Sequence, residues 1–147
     1  MLLDPKKIPQ VDMDFMNKTH EEEIELLNVI HQHLQEYTSS DNDNKKIDTL
    51  YQEWIEHTIA HFNTEETKMK DMHFPPYLAH KGEHDKALQE MRNMFSSWQQ
   101  NRDIEALKYY IDVMIPQWFM MHVSSMDSVT ASFFATGVSP CSLRLGS

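Results

Sequence analysis

Apolar residues recur at steps of three, four and seven along four stretches of the chain, with polar or turn-forming residues between them. The first stretch, from about Phe15 to Tyr37, carries a seam of Ile24, Leu27 and Leu34. Thr38-Ser-Ser-Asp-Asn-Asp-Asn44 follows, a polar loop whose side chains can also cap the next helix. The second stretch, from about Lys45 to Met72, has Ile47, Leu50 and Trp54 in its seam. Pro75-Pro76 closes the next connection, and proline is tolerated in a helix's first turn. The third stretch runs to about Gln100 on Tyr77, Ala87, Met91, Met94 and Trp98. The fourth begins near Asn101 or Asp103 and reaches about Phe133, on Ile104, Leu107, Ile111, Trp118, Met126 and Val129. Such stepping puts the apolar residues of a helix on one core-facing stripe. The pattern predicts an all-α protein, an up-down-up-down antiparallel four-helix bundle with short loops. Pro116 removes the hydrogen bond to the carbonyl of Asp112, which predicts a kink six residues before His122.

The length of 147 residues suits one domain with one core. Residues 1–134 read as the helical domain, and 135–147, which lack periodicity, as a flexible C-terminal tail. Only three glycines are present, two of them in the last eleven positions, which favours long helices over many short strands. A formal net charge of −10 argues against nucleic acid and against an anionic membrane surface. No run approaches the roughly 18 apolar residues of a membrane span. MLLDPKK lacks the order of a secretory signal, and the single Cys141 cannot form an internal disulfide. These features set the expectation of a cytoplasmic protein.

Histidines change the picture by filling gaps in the seams. His20 precedes Ile24 by four, and His61 follows Trp54 by seven, with Glu65 four further on. His80 and His84 lie between Tyr77 and Ala87, and His122 follows Trp118 by four, with Asp127 five later. In an antiparallel bundle these places fall at the same end, so five histidines and two carboxylates can meet in one layer of the core. Burying that many polar groups is costly unless each has a partner, and a metal would supply one. An i,i+4 pair puts both ligands on one helix face. Asp127, at i+5, lies about 140° round an ideal helix from His122, so a π-type widening or a fray is expected between them. Seven ligands exceed one tetrahedral zinc and suit two carboxylate-bridged metals. Iron is favoured, with manganese, cobalt and zinc left open.

The series His20, His61-Phe-Asn-Thr-Glu65, His80-Lys-Gly-Glu-His84 and Trp118-Phe-Met-Met-His122-Val-Ser-Ser-Met-Asp127 resembles the hemerythrin pattern of H, HxxxE, HxxxH and HxxxxD. The resemblance covers about residues 12 to 130. It implies two non-haem irons with an oxo or hydroxo bridge. His80, His84 and His122 would hold one iron, His20 and His61 the other, and Glu65 and Asp127 would bridge them. The second iron would keep an open position for dioxygen, which takes an electron from each ion and leaves by the reverse steps. Phe62, Trp118, Phe119 and Val123 occupy positions expected to line a dry oxygen pocket.

Other features have plainer readings. His57 is one turn from His61 but lacks its carboxylate four residues on, so it either supports the site from behind or is packing. His31 lies roughly 16 Å along the helix from His20, too far to share the site. Glu66 points about 100° from Glu65 and reads as solvated, as does the acidic run Glu21-Glu22-Glu23. Met91, Met94 and Met126 read as core. The first functional reading is reversible dioxygen binding by a carrier, store or sensor. The alternative is a di-iron oxidase, peroxidase or nitric-oxide-handling enzyme. No histidine has Glu three positions before it, unlike the ferritin-like oxidases. Any partner protein or fused signalling domain is left open by the sequence.

Overall fold

The computed structural model describes residues 13–136, and these are all-α. Residues 1–12 and 137–147, which include Cys141 and most of the expected tail, lie outside the described residues. Helix α1 spans Asp14–Gln35, α2 Asp41–Asp71 and α3 Tyr77–Asn101. The last helical stretch, 104–136, is designated α4 and is interrupted by π-helical turns at Tyr110–Met114 and Val123–Asp127. Ala135 and Thr136, expected to open the tail, continue α4.

Local chemistry sets the ends. Helix α2 starts four residues before the expected Lys45, because Ser40 Oγ accepts the backbone N–H of Asp43. Asp103 caps α4 in the same way, accepting from the backbone N–H of Ala106. Helix α3 ends at Arg102, whose backbone is left-handed with φ of 48°. Glycine usually takes that place. Here Arg102 is held by Asp48, which accepts from Nη1 at 2.7 Å and Nη2 at 3.0 Å, while the guanidinium lies over the Trp98 ring.

The core forms two apolar clusters. One takes Leu27, Ile30 and Leu34 from α1, Ile47 to Ile55 from α2, Met91 and Trp98 from α3, and Leu107 to Ile115 from α4. The other takes Met16 and Ile24 from α1, Met69 from the end of α2, Phe74, and Phe119 to Phe134 from α4. Burial of side chains this size contributes roughly 1.5–3 kcal/mol each.

The α4 seam departs from expectation. Ile111 is buried, but Val129 is exposed and Met126 only half-buried. After the second π turn the buried positions are Thr130, Ala131, Phe133 and Phe134. A π turn inserts about one extra residue, so every later position rotates relative to a regular α-helix. The first π turn ends two residues before Pro116, where a kink is expected; Ile115 N–H bonds back to the carbonyl of Tyr110, and Pro116 itself lies in regular helix. Among the described residues, no helix is long and apolar enough to cross a membrane.

Candidate metal centre

Each segment contributes buried polar residues where an apolar seam would otherwise continue. His20 lies between Met16 and Ile24 on α1, and His61 and Glu65 between Ile55 and Met69 on α2. His80 and His84 precede Ala87 on α3, and His122 and Asp127 lie between Phe119 and Thr130 on α4. All seven are buried, and they meet. Glu65, His80, His84, His122 and Asp127 bring ligand atoms within 4.8 Å of one another, and His20, His61 and Glu65 do the same. The π turn Val123–Asp127 is what brings an i+5 acid onto the His122 face. The carbonyl of Met121, just before this turn, accepts from the hydroxyls of Ser124 at 3.2 Å and Ser125 at 2.6 Å.

The two carboxylates divide their oxygens between the groups. Asp127 Oδ2 is 2.9 Å from His20 Nε2, while its Oδ1 is 3.0 Å from His80 Nε2 and 2.9 Å from His122 Nε2. Glu65 Oε1 is 2.7 Å from His61 Nε2, while its Oε2 faces His84 Nε2 at 3.5 Å and His80 Nε2 at 3.9 Å. Each acid therefore spans a two-histidine group and a three-histidine group.

Outward nitrogens are all held on the three-histidine side, and carboxylates place a proton on two of them. His84 Nδ1 donates to Glu66 at 3.0 Å and His122 Nδ1 donates to Glu83 at 2.7 Å. His80 Nδ1 meets Thr130 Oγ1 at 2.7 Å. The inner nitrogens of the three rings converge, His122 Nε2 lying 3.3 Å from both His80 Nε2 and His84 Nε2. Burial resists charge on His122, but Asp127 and Glu83 outweigh it and raise the ring above its ordinary value, so a cation seated there displaces a proton. Among the described residues Glu65 Oε2 is buried without a hydrogen-bond donor. Converging ring nitrogens beside an unsatisfied carboxylate oxygen fit a cation.

Electrostatics agree. Burial, reinforced by His80 and His122, pushes His84 down to about 2, so its ring is the neutral base a metal requires. Burial resists charge on Asp127, but His122 and the other imidazoles outweigh it and hold the acid well below its ordinary value. Burial also resists charge on His61, but Glu65 outweighs it and raises the ring to about 9. A cation seated there has to displace a proton.

Aromatic rings enclose the cluster. Phe62 stacks on His84 with centroids 3.7 Å apart, Trp118 stacks on His122 at 4.5 Å, and Phe119 meets His20 edge-on at 5.6 Å. Phe62, Trp118 and Phe119 also line a cavity of about 130 Å³, together with Leu27 and Trp54. Val123 is buried in the same apolar cluster as Phe119.

Two acidic residues read as solvated take part in the structure. Glu66 reaches across to His84, because its side chain is long enough to bridge α2 and α3. Glu23 is buried at 5% exposure and lines the cavity. It accepts from Trp54 Nε1 at 2.6 Å, Thr58 Oγ1 at 2.7 Å and His57 Nδ1 at 2.6 Å. Burial alone would raise Glu23, but the His57 bond and its neighbours outweigh it and lower the acid. The signal was in the spacing: Glu23 follows His20 by three and precedes Leu27 by four. His57 is outside both ligand groups and pairs with Glu23 and Glu22. His31 pairs with Asp112 at 2.7 Å, tying α1 to the first π turn.

The family described as hemerythrin HHE cation binding domain matches residues 11–133. The chain is similar to a bacteriohemerythrin of Aquifex aeolicus (strain VF5), 33% identical over 131 residues, which covers 89% of this chain and 96% of that protein. It is also similar to a bacteriohemerythrin of Ralstonia nicotianae (strain ATCC BAA-1114 / GMI1000), 32% identical over 85 residues, 56% of this chain and 58% of that protein. No solved structure matches it with comparable significance.

Proposed function

Because the chain belongs to the hemerythrin family, we propose that it binds dioxygen reversibly at a pair of non-haem irons joined by an oxo or hydroxo bridge. In this reading His80, His84 and His122 hold one iron, His20 and His61 hold the other, and Glu65 and Asp127 bridge them. The observation that carries it is the division of the two carboxylates, each aiming one oxygen at the two-histidine group and the other at the three-histidine group. The scaffold of the proposal is the up-down-up-down antiparallel bundle. It is supported by the alternation of helix halves between the clusters: the end of α1, the start of α2, the end of α3 and the start of α4 share one of them. A cytoplasmic carrier, store or sensor completes the reading.

When bound, a ferrous pair supplies the two electrons that dioxygen takes up. The chain's own contribution is to hold and protect. Glu66 and Glu83 fix the rings of His84 and His122 from outside. Phe62 and Trp118 cover those rings and wall the cavity with carbon, which excludes water and the protons it would deliver. His61, His122 and Asp127 all line the cavity, so a diatomic held there lies against residues of both ligand groups.

The test is a spectrum of iron-loaded protein, reduced without air and then exposed to oxygen. A visible band should appear and fade when oxygen is withdrawn. A band that forms without fading would favour the oxidase or peroxidase alternative. No band, with two irons confirmed by analysis, would overturn oxygen binding.

A further inference from the structure

The two halves of the site are built differently behind their inward nitrogens. On the three-histidine side every ring is held at its outer nitrogen, His80 by Thr130, His84 by Glu66 and His122 by Glu83, at 2.7, 3.0 and 2.7 Å. Two of these rings are also covered face-on, His84 by Phe62 with an interplanar angle of 1° and His122 by Trp118 at 11°. Their orientation is thus set by residues of α2, α3 and α4. On the other side the outer nitrogens of His20 and His61 are buried and meet no hydrogen-bond partner among the described residues. Their ring contacts are edge-on or tilted, His20 against Phe119 at 84° and His61 against Phe62 at 50°.

A ring already held in place loses less freedom when it takes a cation. An acceptor on its outer N–H also fixes the tautomer and makes the inner nitrogen a better base. We propose, resting on the reading of these side chains as metal ligands, that the chain loads its two metals in a fixed order. The three-histidine position fills first and more tightly, and the His20–His61 position fills second and exchanges. Thr130, Glu66 and Glu83 are the positioning residues that set the difference. A one-metal form then accumulates whenever metal is scarce, with its single ion beside Phe62 and Trp118.

The experiment titrates the metal-free full chain with cobalt(II), followed by calorimetry and by the visible absorption of the bound ion. Two resolved steps of one metal each are expected, the first tighter by about tenfold or more. His61→Ala should remove the weaker step. Thr130→Val and Glu83→Gln should weaken the tight step by about 10- to 100-fold, and Thr130→Ser, which keeps the hydroxyl, should restore it. Circular dichroism of each metal-free variant reports its fold. Two metals entering in one step would overturn the order. So would loss of the tight step in His61→Ala, or a folded Thr130→Val whose tight step is unchanged. The unaltered chain must itself show the two steps, so the result decides even if a variant fails to fold. Absence of any cobalt uptake is a different failure, that of the metal reading beneath it.

Discussion

Replacing Glu23 by Ala tests whether this buried acid organises the wall of the cavity. Three donors meet it, from Trp54, Thr58 and His57. Two of them are relieved in other ways: Thr58 Oγ1 also bonds the carbonyl of Trp54 at 2.8 Å, and His57 can keep its proton on Nε2, 3.3 Å from Glu22, leaving Nδ1 with no proton to satisfy. Trp54 Nε1 has no other acceptor among the described residues, and Trp54 is 2% exposed. Leaving one buried donor unsatisfied costs about 1–3 kcal/mol. The gap left by the missing side chain adds about 1 kcal/mol. Release of a buried carboxylate offsets part of this, so the expected net loss is about 1–3 kcal/mol. For a chain of this size that is roughly 3–12 °C in melting temperature. The assay is urea unfolding with a chelator present, so that metal binding does not contribute. Trp54→Phe removes the stranded donor, so the double variant should lose less than the two single losses together, by about 1–2 kcal/mol. A Glu23→Ala midpoint within about 0.5 kcal/mol of the parent, the range of a surface substitution, would refute the reasoning.

Deleting Ser124, an exposed residue of the second π turn, turns the five-residue interval from His122 to Asp127 into four. A regular α-helix then aligns the two, so the variant should fold and still bind two metals per chain by elemental analysis. Loss of one metal would contradict that account of the turn. The bond to Glu23 raises His57 above its ordinary 6.5 against the opposing effect of burial, so the pair's contribution is complete below pH 6.5. It fades as pH climbs through the raised value. The lowered Glu23 makes its own contribution above pH 4.5 and loses it on acidification. In zinc-loaded protein the ligand histidines take up protons on unfolding in parent and variant alike, so the stability gap between the parent and His57→Gln isolates the pair, and it should narrow as pH rises above 6.5. A gap that does not change with pH would contradict the pairing.

Much of the fold and of the candidate site could be read in the sequence because both rest on helical periodicity. His61 with Glu65 and His80 with His84 stand four apart, and a regular helix delivers such pairs to one face. Even the widening before Asp127 followed from a five-residue interval that an α-helix cannot align. What that reasoning did not carry forward was the consequence of the turn: the phase shift moved the seam from Met126 and Val129 to Thr130, Ala131 and Phe134. Glu23 and Glu66 escaped for another reason. Within acidic runs, composition suggests solvent, whereas the position of one residue on the stripe, or the reach of a long side chain, decides burial. The start of α2 was placed late because Asp41 to Asn44 looked like loop, although Ser40 makes them the first turn of a capped helix.

Iron-loaded crystals measured with anomalous scattering at the iron edge test the central claim most directly. The account predicts two irons, one on His80, His84 and His122 and one on His20 and His61, with Glu65 and Asp127 each giving an oxygen to both. A single iron, or two that Glu65 and Asp127 do not span, would contradict it.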